Sequence, residues 1–210
     1  NPTHDHVIGL SRSGNADRFI DISDEASIAE AAHRAKELAK NNDSEISMII
    51  VATGLLHSGD NQPEKSIQQL NPDWMIENFR VNTLGPALVA KHFLPLMPNE
   101  GHSVFALLSA RVGSISDNQL GGWHSYRASK AALNMIVRNL AIEHNRRAPE
   151  NIIVGLQPGT VESELSKPFG QARTKMTAAE SATQMLAVLN SLTPANSGQL
   201  FAYDHSLIAP

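Results

Sequence analysis

A tyrosine and a lysine four positions apart are the residues of this sequence best suited to proton chemistry. Tyr126 and Lys130 lie in SYRASKAALNM, whose composition predicts the start of a helix. Residues at this spacing share one helix face, with Cβ atoms about 5–6 Å apart. We expect the ammonium to lower the tyrosine pKa from its usual value near 10, so that Tyr126 exchanges protons near neutral pH. An amphipathic helix carrying two unrelated polar residues would show the same short pattern.

Alternating strands and helices are predicted to position this pair. Apolar runs rich in β-branched residues predict strands over HVIGLSR, RFIDIS, SEISMIIVATG, GHSVFALLSA, NIIVGLQPG and GQLFAYD. Helical spacing and end signals predict helices over residues 24–42, 72–96, 125–147 and 178–192. SEISMIIVATG is typical of a strand buried on both faces of a parallel sheet. The order favours an α/β fold, a three-layer, doubly wound parallel sheet in a single domain over residues 1–210.

Polar residues and a glycine end four of these predicted strands. They are Arg12, Thr53, Ser109 and Gly159. Ligands of doubly wound sheets bind beyond the carboxyl ends of the strands. We therefore expect these residues to line one edge, at which the Tyr126 helix begins.

Composition excludes several other functions. The 210 residues carry 17 basic and 21 acidic side chains without a basic block, so nucleic acid is not an expected partner. There is no cysteine, and the histidines do not fall at a ligand spacing, so no metal site is predicted. No apolar run is long enough to span a bilayer, and no signal peptide is visible, which predicts a cytoplasmic protein without a membrane partner.

The ordered set of motifs resembles the short-chain dehydrogenase/reductase family over nearly the whole sequence. Serine at a strand end, then Y-x-x-x-K, then a strand ending in P-G carries the resemblance, here Ser109, Tyr126 with Lys130, and NIIVGLQPG. SARVGSISDNQLGGWHSYRASKAALNM looks most like the C-factor or C-signal branch. The resemblance implies a Rossmann-type fold and a nicotinamide-dependent oxidoreductase.

The resemblance also implies a catalytic tetrad. Tyr126 would pass a proton to the carbonyl oxygen as hydride arrives, and Ser109 would hydrogen-bond that oxygen. Lys130 would bind the nicotinamide ribose and lower the tyrosine pKa. The carbonyl of Asn82, the fourth member, would hold a water that links the lysine to solvent.

Asn82 also has a physical argument of its own. Pro86 has no N–H and cannot donate to the carbonyl of Asn82, four positions before it in the predicted helix. A buried orphan carbonyl is costly, so we expect a water to donate to it and the Asn82 side chain to face the Tyr126 helix. A simple kink in a packed helix is the alternative.

Arg12 bears on the choice of cofactor. It stands where an acidic residue would bind the ribose of NAD(H), so NADP(H) is favoured over NAD(H). A solvated surface arginine is the alternative. The resemblance implies cofactor contacts at Ser11, Arg12, Asp21, Ile22, Ala52, Thr53, Gly54, Asn82, Tyr126, Lys130, Pro158, Gly159 and Val161.

The family's glycine-rich T-G-x-x-x-G-x-G turn, with the strand and helix on either side of it, has no counterpart in the sequence. The first residues match what would be the family's second strand. We therefore expect a head of roughly 25 residues, most of a βαβ unit, to be missing from the sequence. A chain truly without it would favour a small-molecule binding module over an enzyme.

Substrate and partners are less defined. Residues 162–176 are expected to form a lid over an apolar pocket for a small carbonyl or alcohol, and the predicted substrate contacts are Ser109, Leu120, Trp123, Leu165 and Phe169. The helices that begin at Asn71 and Ser125 are expected to pair two subunits in a homodimer. The alternative function is a C-factor-like signalling or regulatory protein that binds cofactor without relevant turnover.

Overall fold

A mostly parallel sheet organises the part of the chain that the computed structural model describes, residues 6–163, 166 and 175–210. The strands are β1 (Met48–Val51), β2 (Val104–Leu108), β3 (Ile152–Gln157), β4 (Leu200–Ala202) and β5 (Leu207–Ile208). They lie in the order β1-β2-β3-β4-β5. The first four are parallel, and β5 pairs antiparallel to β4.

The described residues form five α-helices, of which the first precedes β1 and the other four lie between strands. They are α1 (Glu25–Asn41), α2 (Pro72–Phe79), α3 (Gly85–Phe93), α4 (His124–His144) and α5 (Ala178–Ser191). A π turn (Arg80–Leu84) joins α2 to α3, so the helix expected over residues 72–96 is nearly continuous with one wider turn. None of the helices in the described ranges has the length and apolar character needed to cross a bilayer.

The two faces of the sheet bury separate hydrophobic clusters. Phe105 and Leu107 of β2 pack with residues of α1, α3 and α4. Val104 and Ala106, which alternate with them along the strand, pack with residues of α5. Helices therefore cover both faces, and the predicted three-layer α/β fold is confirmed.

Local end signals fixed three helix starts as predicted. Asp24 caps α1 through the N–H of Ala26, at 3.0 Å. Asn71 caps α2, with Pro72 as its first residue. Thr177 and Glu180 form a capping box at α5. Each side chain satisfies a backbone donor that the first helical turn leaves without an intrahelical acceptor.

The two predicted N-terminal strands are wrong. HVIGLSR and RFIDIS form no regular strand and share a single parallel bridge between Ser11 and Phe19. Val7 is 82% exposed. A strand needs a neighbour for its backbone N–H and C=O groups, and among the described residues these two segments have only that one bridge.

The prediction that SEISMIIVATG is buried on both faces is also wrong. Ile49 and Val51 join the cluster under α1 and α3. Ile50, on the opposite face, is 39% exposed. The α5 cluster covers β2, β3 and β4 and reaches only Met48 of β1, so Ile50 has no helix above it.

Candidate functional site

Tyr126 and Lys130 lie one turn apart on α4, and both are buried. Tyr126 is 8% exposed and Lys130 only 2%. The Lys130 Nζ lies 5.9 Å from the centroid of the Tyr126 ring. It donates a hydrogen bond of 2.9 Å to the carbonyl of Leu108, the last residue of β2. The lysine is thus held at the carboxyl end of a central strand, the edge at which the sequence predicted a site.

Burial sets the proton affinities of this pair. Desolvation raises the pKa of Tyr126 to about 12. The same effect lowers the pKa of Lys130 to about 8. The expected lowering of the tyrosine pKa is therefore wrong here, because burial disfavours the tyrosinate more than the nearby ammonium favours it. At neutral pH the tyrosine is a protonated donor.

The Asn82 side chain, which lies in the π turn, makes hydrogen bonds to the loop after β1 and to α4. Its Oδ1 accepts from the N–H of Leu55 at 2.7 Å, and its Nδ2 donates to the Leu55 carbonyl at 2.8 Å. Its Nδ2 also lies 3.1 Å from the Ser129 Oγ on α4, so the side chain faces the Tyr126 helix as expected. A Cβ placed on Gly54 would lie 3.8 Å from both the Asn82 Oδ1 and the Lys130 Nζ. Asn82, Gly54 and Lys130 therefore converge on one point.

The Ser109 hydroxyl is engaged with α4 and not with Tyr126. Its Oγ donates to the Asn134 Oδ1 at 2.6 Å, a normal length for an O–H···O bond. Its backbone N–H donates to the Leu156 carbonyl of β3. Within the described ranges no hydrogen bond joins Ser109 to Tyr126. Asn134 lies one turn beyond Lys130, so helical spacing from the Y-x-x-x-K pair could have identified it.

Glu64 reaches the start of α4 from a distant loop and was not predicted. Its carboxylate accepts from the Ser125 N–H at 3.2 Å and from the Ser125 hydroxyl. Its backbone carbonyl accepts from the Trp123 N–H at 2.5 Å. Glu64 is only 3% exposed. No local pattern signals this role, because the contact joins segments about sixty positions apart.

The strand ends carry further groups that a ligand could meet. The Thr53 Oγ1, just beyond β1, is buried and has no hydrogen-bond partner among the residues that the structure describes. Its neighbours Ala52 and Gly54 are exposed. The Pro158 carbonyl beyond β3 accepts from the Ser181 hydroxyl. Gly159 follows it, and Val161 forms a parallel bridge with Met176.

Four of the expected cofactor contacts come from the first segment that the structure describes: Ser11, Arg12, Asp21 and Ile22. Hydrogen bonds from the side chain and backbone of Ser23 lower the pKa of Asp21, and the charges of Arg12 and Arg80 lower it further. Ser11 and Arg12 are exposed. A Cβ on Gly85 would lie 2.9 Å from the Ile22 carbonyl, so Ile22 packs directly against the helix backbone just after the π turn.

Besides Ser109, two more of the five expected substrate contacts lie among the described residues. Trp123 meets the Tyr126 ring edge-on, with centroids 6.3 Å apart. Leu120 is 84% exposed, and nothing described packs over it. Leu165 and Phe169 lie outside the described residues, as does most of the expected lid.

The chain matches known proteins over most of its length. A family model described as short chain dehydrogenase matches residues 15–174. A 1-hydroxy-2-glutathionyl-2-methyl-3-butene dehydrogenase of Rhodococcus sp. (strain AD45) is 34% identical over 140 residues, which is 67% of this chain and 59% of the relative. The C-signal protein of Myxococcus xanthus is 35% identical over 130 residues, covering 61% of this chain and 74% of the relative.

Solved structures share the fold. The NADPH-bound carbonyl reductase from chicken fatty liver superposes with a TM-score of 0.78 and 25% identity, covering 96% of this chain and 85% of that one. The carbonyl reductase Sniffer of D. melanogaster gives a TM-score of 0.79 at 22% identity, covering 91% of this chain and 77% of its own.

Proposed function

The chain belongs to the short-chain dehydrogenase family, and from that premise we propose that it reduces a small carbonyl compound, or oxidises the matching alcohol, with NADP(H). The observation that carries the proposal is the burial of Tyr126 and Lys130 side by side at the carboxyl end of β2. A carbonyl that accepts hydride becomes an alkoxide, which needs a proton donor at that point.

The strand ends fit a nicotinamide dinucleotide. The orphan Thr53 hydroxyl and the exposed backbone at Ala52 and Gly54 leave polar groups for a ligand beyond β1. Pro158, Gly159 and Val161 would flank the nicotinamide beyond β3, and Asp21 and Ile22 would flank the adenine. When bound, the reduced nicotinamide supplies the hydride that adds to the carbonyl carbon.

Tyr126 is the proposed proton donor. Its pKa of about 12 keeps the phenol protonated at neutral pH, and an alkoxide is a stronger base than a phenolate. The phenolic proton therefore goes to the substrate oxygen, leaving a tyrosinate. Lys130, with a pKa of about 8, is poised to return a proton near neutral pH. Its burial beside Tyr126 and Gly54 also suits a contact with the cofactor ribose.

Asn82 is the proposed link from Lys130 to solvent. Pro86 cannot donate to the Asn82 carbonyl, and we propose that a water donates to this oxygen instead. The Asn82 side chain is occupied by Leu55 and Ser129, which fixes the π turn beside Lys130. A water on the carbonyl would then pass protons from solvent to the lysine.

Ser109 requires a rearrangement to serve as the proposed substrate donor. A hydroxyl carries one proton, and here it points to Asn134. To bind the substrate oxygen, Ser109 must turn away from α4 and leave the Asn134 amide to another partner. We expect its net contribution to be smaller than that of an uncommitted donor.

Tyr126→Phe tests the reaction. The change removes only the phenolic hydroxyl, so reduction of para-nitrobenzaldehyde should fall by at least about a hundredfold. The circular dichroism spectrum and the NADPH dissociation constant, followed by fluorescence titration, should stay as in the parent. A variant that keeps more than about a tenth of the parent turnover would show that Tyr126 is not the acid.

Arg12→Asp tests the cofactor preference. The Arg12 side chain is exposed, whereas Arg80, whose charge also reaches Asp21, is paired with Glu77 at 2.7 Å, so Arg12 is the proposed partner of the additional phosphate of NADP(H). The substitution should weaken NADPH binding by about tenfold or more and leave NADH binding nearly unchanged. Arg18→Asp on the same segment is the control. Equal dissociation constants for the two cofactors in the parent protein would refute the preference.

A second candidate function rests on the similarity to C-signal. The alignment covers 74% of that protein, so this chain could act as a signalling or regulatory protein that binds cofactor without relevant turnover. A parent protein that binds NADPH but reduces none of a panel of aldehydes, ketones and diketones would favour this reading.

Location in the cytoplasm stays a prediction.

A further inference from the structure

The turn that leads into the Tyr126 helix holds three consecutive residues in the left-handed region. Gly121, Gly122 and Trp123 have φ angles of 63°, 64° and 51°. Glycine adopts this conformation freely, but a tryptophan there is strained. Such a conformation persists only where the surrounding structure holds it. Trp123 is also the residue immediately before α4, and its own side chain does not cap the helix.

Glu64 supplies the contacts that hold this turn. Its backbone carbonyl accepts from the Trp123 N–H, and its two carboxylate oxygens accept from the N–H and hydroxyl of Ser125. The backbone at Gly122 approaches so closely that a Cβ there would lie 3.2 Å from the Glu64 carbonyl. One residue thus fixes both sides of the Trp123 backbone.

A purely structural cap would not need this arrangement. A serine or asparagine in place of Trp123 would satisfy the first turn of α4 locally, as Asp24 and Asn71 do for α1 and α2. Here the cap comes from a remote, buried carboxylate, with no basic partner among the described residues, and such a group is costly to bury. In this position the Trp123 indole lies edge-on to the Tyr126 ring, with ring centroids 6.3 Å apart.

We propose that Glu64 is a positioning residue, which acts through Trp123 and Ser125 to fix Tyr126 and one wall of the carbonyl pocket. The inference rests on the proposed function for its effect on turnover. Its effect on Trp123 does not depend on that function. The cofactor-side groups Gly54, Asn82 and Lys130 make no described contact with Glu64, so cofactor binding should be spared.

The test compares Glu64→Ala with Glu64→Gln. The alanine variant loses all side-chain contacts with Ser125, so kcat for para-nitrobenzaldehyde should fall by about tenfold or more and KM should rise. The glutamine variant can still accept from the Ser125 N–H and donate to its hydroxyl, so it should restore kcat to within about threefold of the parent. The NADPH dissociation constant should change by less than about twofold in both. Gln62→Ala, an exposed position on the same loop, is the control.

Fluorine NMR of protein labelled with fluorotryptophan gives a readout independent of activity. The chain has two tryptophans, and Trp74→Phe assigns the two resonances. Glu64→Ala should shift or broaden the Trp123 resonance, and Glu64→Gln should return it towards the parent position. Ser125→Ala keeps the Glu64 carboxylate but removes one of its hydrogen-bond donors, so it should shift the Trp123 resonance less than Glu64→Ala does. It replaces Glu64→Ala as the test variant if that variant fails to fold.

The outcomes separate the two claims. A parent without turnover would refute the proposed function, and the Trp123 resonance would still decide whether Glu64 positions the turn. An unmoved Trp123 resonance in Glu64→Ala would overturn the inference. So would a shifted resonance with normal kcat and KM in an active parent, because Glu64 would then be structural only.

Discussion

Burial acts in opposite directions on the two ionisable residues at the centre of the site. It raises the pKa of Tyr126 and lowers that of Lys130, so both are biased towards their neutral forms. For the tyrosine this bias maintains the proton that reduction consumes. For the lysine this bias means that the charged ammonium, which dominates at neutral pH, is unfavourable in its buried position. Burying the charged lysine at the site therefore lowers the stability of the fold.

Replacing Lys130 by methionine should stabilise the protein while abolishing turnover. Because burial lowers the pKa of Lys130 from 10.5 to about 8, the unfolded chain holds this proton more tightly than the folded one. The loss of folding stability caused by the buried ammonium is complete below about pH 8. It shrinks as pH rises and is gone above 10.5, the pKa of the lysine in the unfolded chain. At pH 7, removing the desolvated ammonium in Lys130→Met should therefore raise the free energy of unfolding by at most about 3 kcal/mol. Loss of the hydrogen bond to Leu108 should reduce this gain by about 1 kcal/mol.

Urea unfolding at pH 7, 9 and about 10.5 measures this difference. The gain from Lys130→Met should be largest at pH 7 and should decrease steadily towards the highest pH. The exposed Lys36→Met should give no such trend. A Lys130→Met variant less stable than the parent at pH 7 would show that the bond to Leu108 outweighs the desolvation of the ammonium.

At the scale of elements, the π turn is the feature that connects helix geometry to the site. The N–H of Gly85 bonds the carbonyl of Arg80, five positions back. Such turns inside α-helices are rare and occur often at functional sites. Here the turn carries Asn82 towards Ser129, and Pro86 follows where an N–H would otherwise be required.

Pro86→Ala should slow turnover more than it weakens cofactor binding. Alanine restores an N–H that can bond the Asn82 carbonyl and displace the proposed water. We expect kcat to fall by about threefold to tenfold, with the NADPH dissociation constant within about twofold of the parent. Pro95→Ala, at the far end of the same helical run, is the control. Unchanged turnover in Pro86→Ala would mean that the turn serves packing and not proton delivery.

Elements with strong local signals could be predicted, and elements that depend on distant partners could not. The caps at Asn71 and Thr177 encode helix starts within four residues and were predicted from the sequence, whereas the start at Asp24 was predicted from helical spacing alone. The runs HVIGLSR and RFIDIS have strand composition, but a strand is stable only beside a neighbour, which composition does not reveal. The two residues of β5 are too few to show any periodicity.

The same distinction applies inside the site. Helix periodicity predicted that Tyr126 and Lys130 share a face. The missing N–H of Pro86 predicted that the Asn82 carbonyl lacks its usual helical donor, but it did not predict the π turn. The partner of Ser109 could be identified only by asking what lies one turn beyond Lys130. Glu64 could not be found at all, since its contact with Ser125 depends on how a long loop folds back. The direction of the Tyr126 pKa shift could not be predicted either, because it depends on how deeply the side chain is buried, and residue spacing does not show burial.

For the whole molecule, the outer surfaces of α2 and α4 are a second feature beside the site. The polar strand ends meet at one edge, whereas α2 and α4 pack against each other on one face. Several large apolar side chains on these two helices and the adjoining π turn are exposed: Ile76 (65%), Leu84 (53%), Met135 (60%) and Ile142 (49%). Clustered exposed apolar side chains of this kind mark interaction surfaces more often than scattered ones do.

We predict that two copies of the chain pair through this surface. Met135 and Ile142 lie about two turns apart on α4, on the outer stripe that also includes Ala131 and Arg138, and a twofold axis across α4 would bury the stripe against itself. Light scattering at micromolar concentration should give twice the chain mass for the parent. Met135→Glu with Ile142→Glu should give a monomer, because a carboxylate is costly to bury at such a contact. Ile67→Glu, at a residue that is 59% exposed outside both helices, should remain a dimer. A parent that scatters as a monomer at this concentration would rule out the pairing.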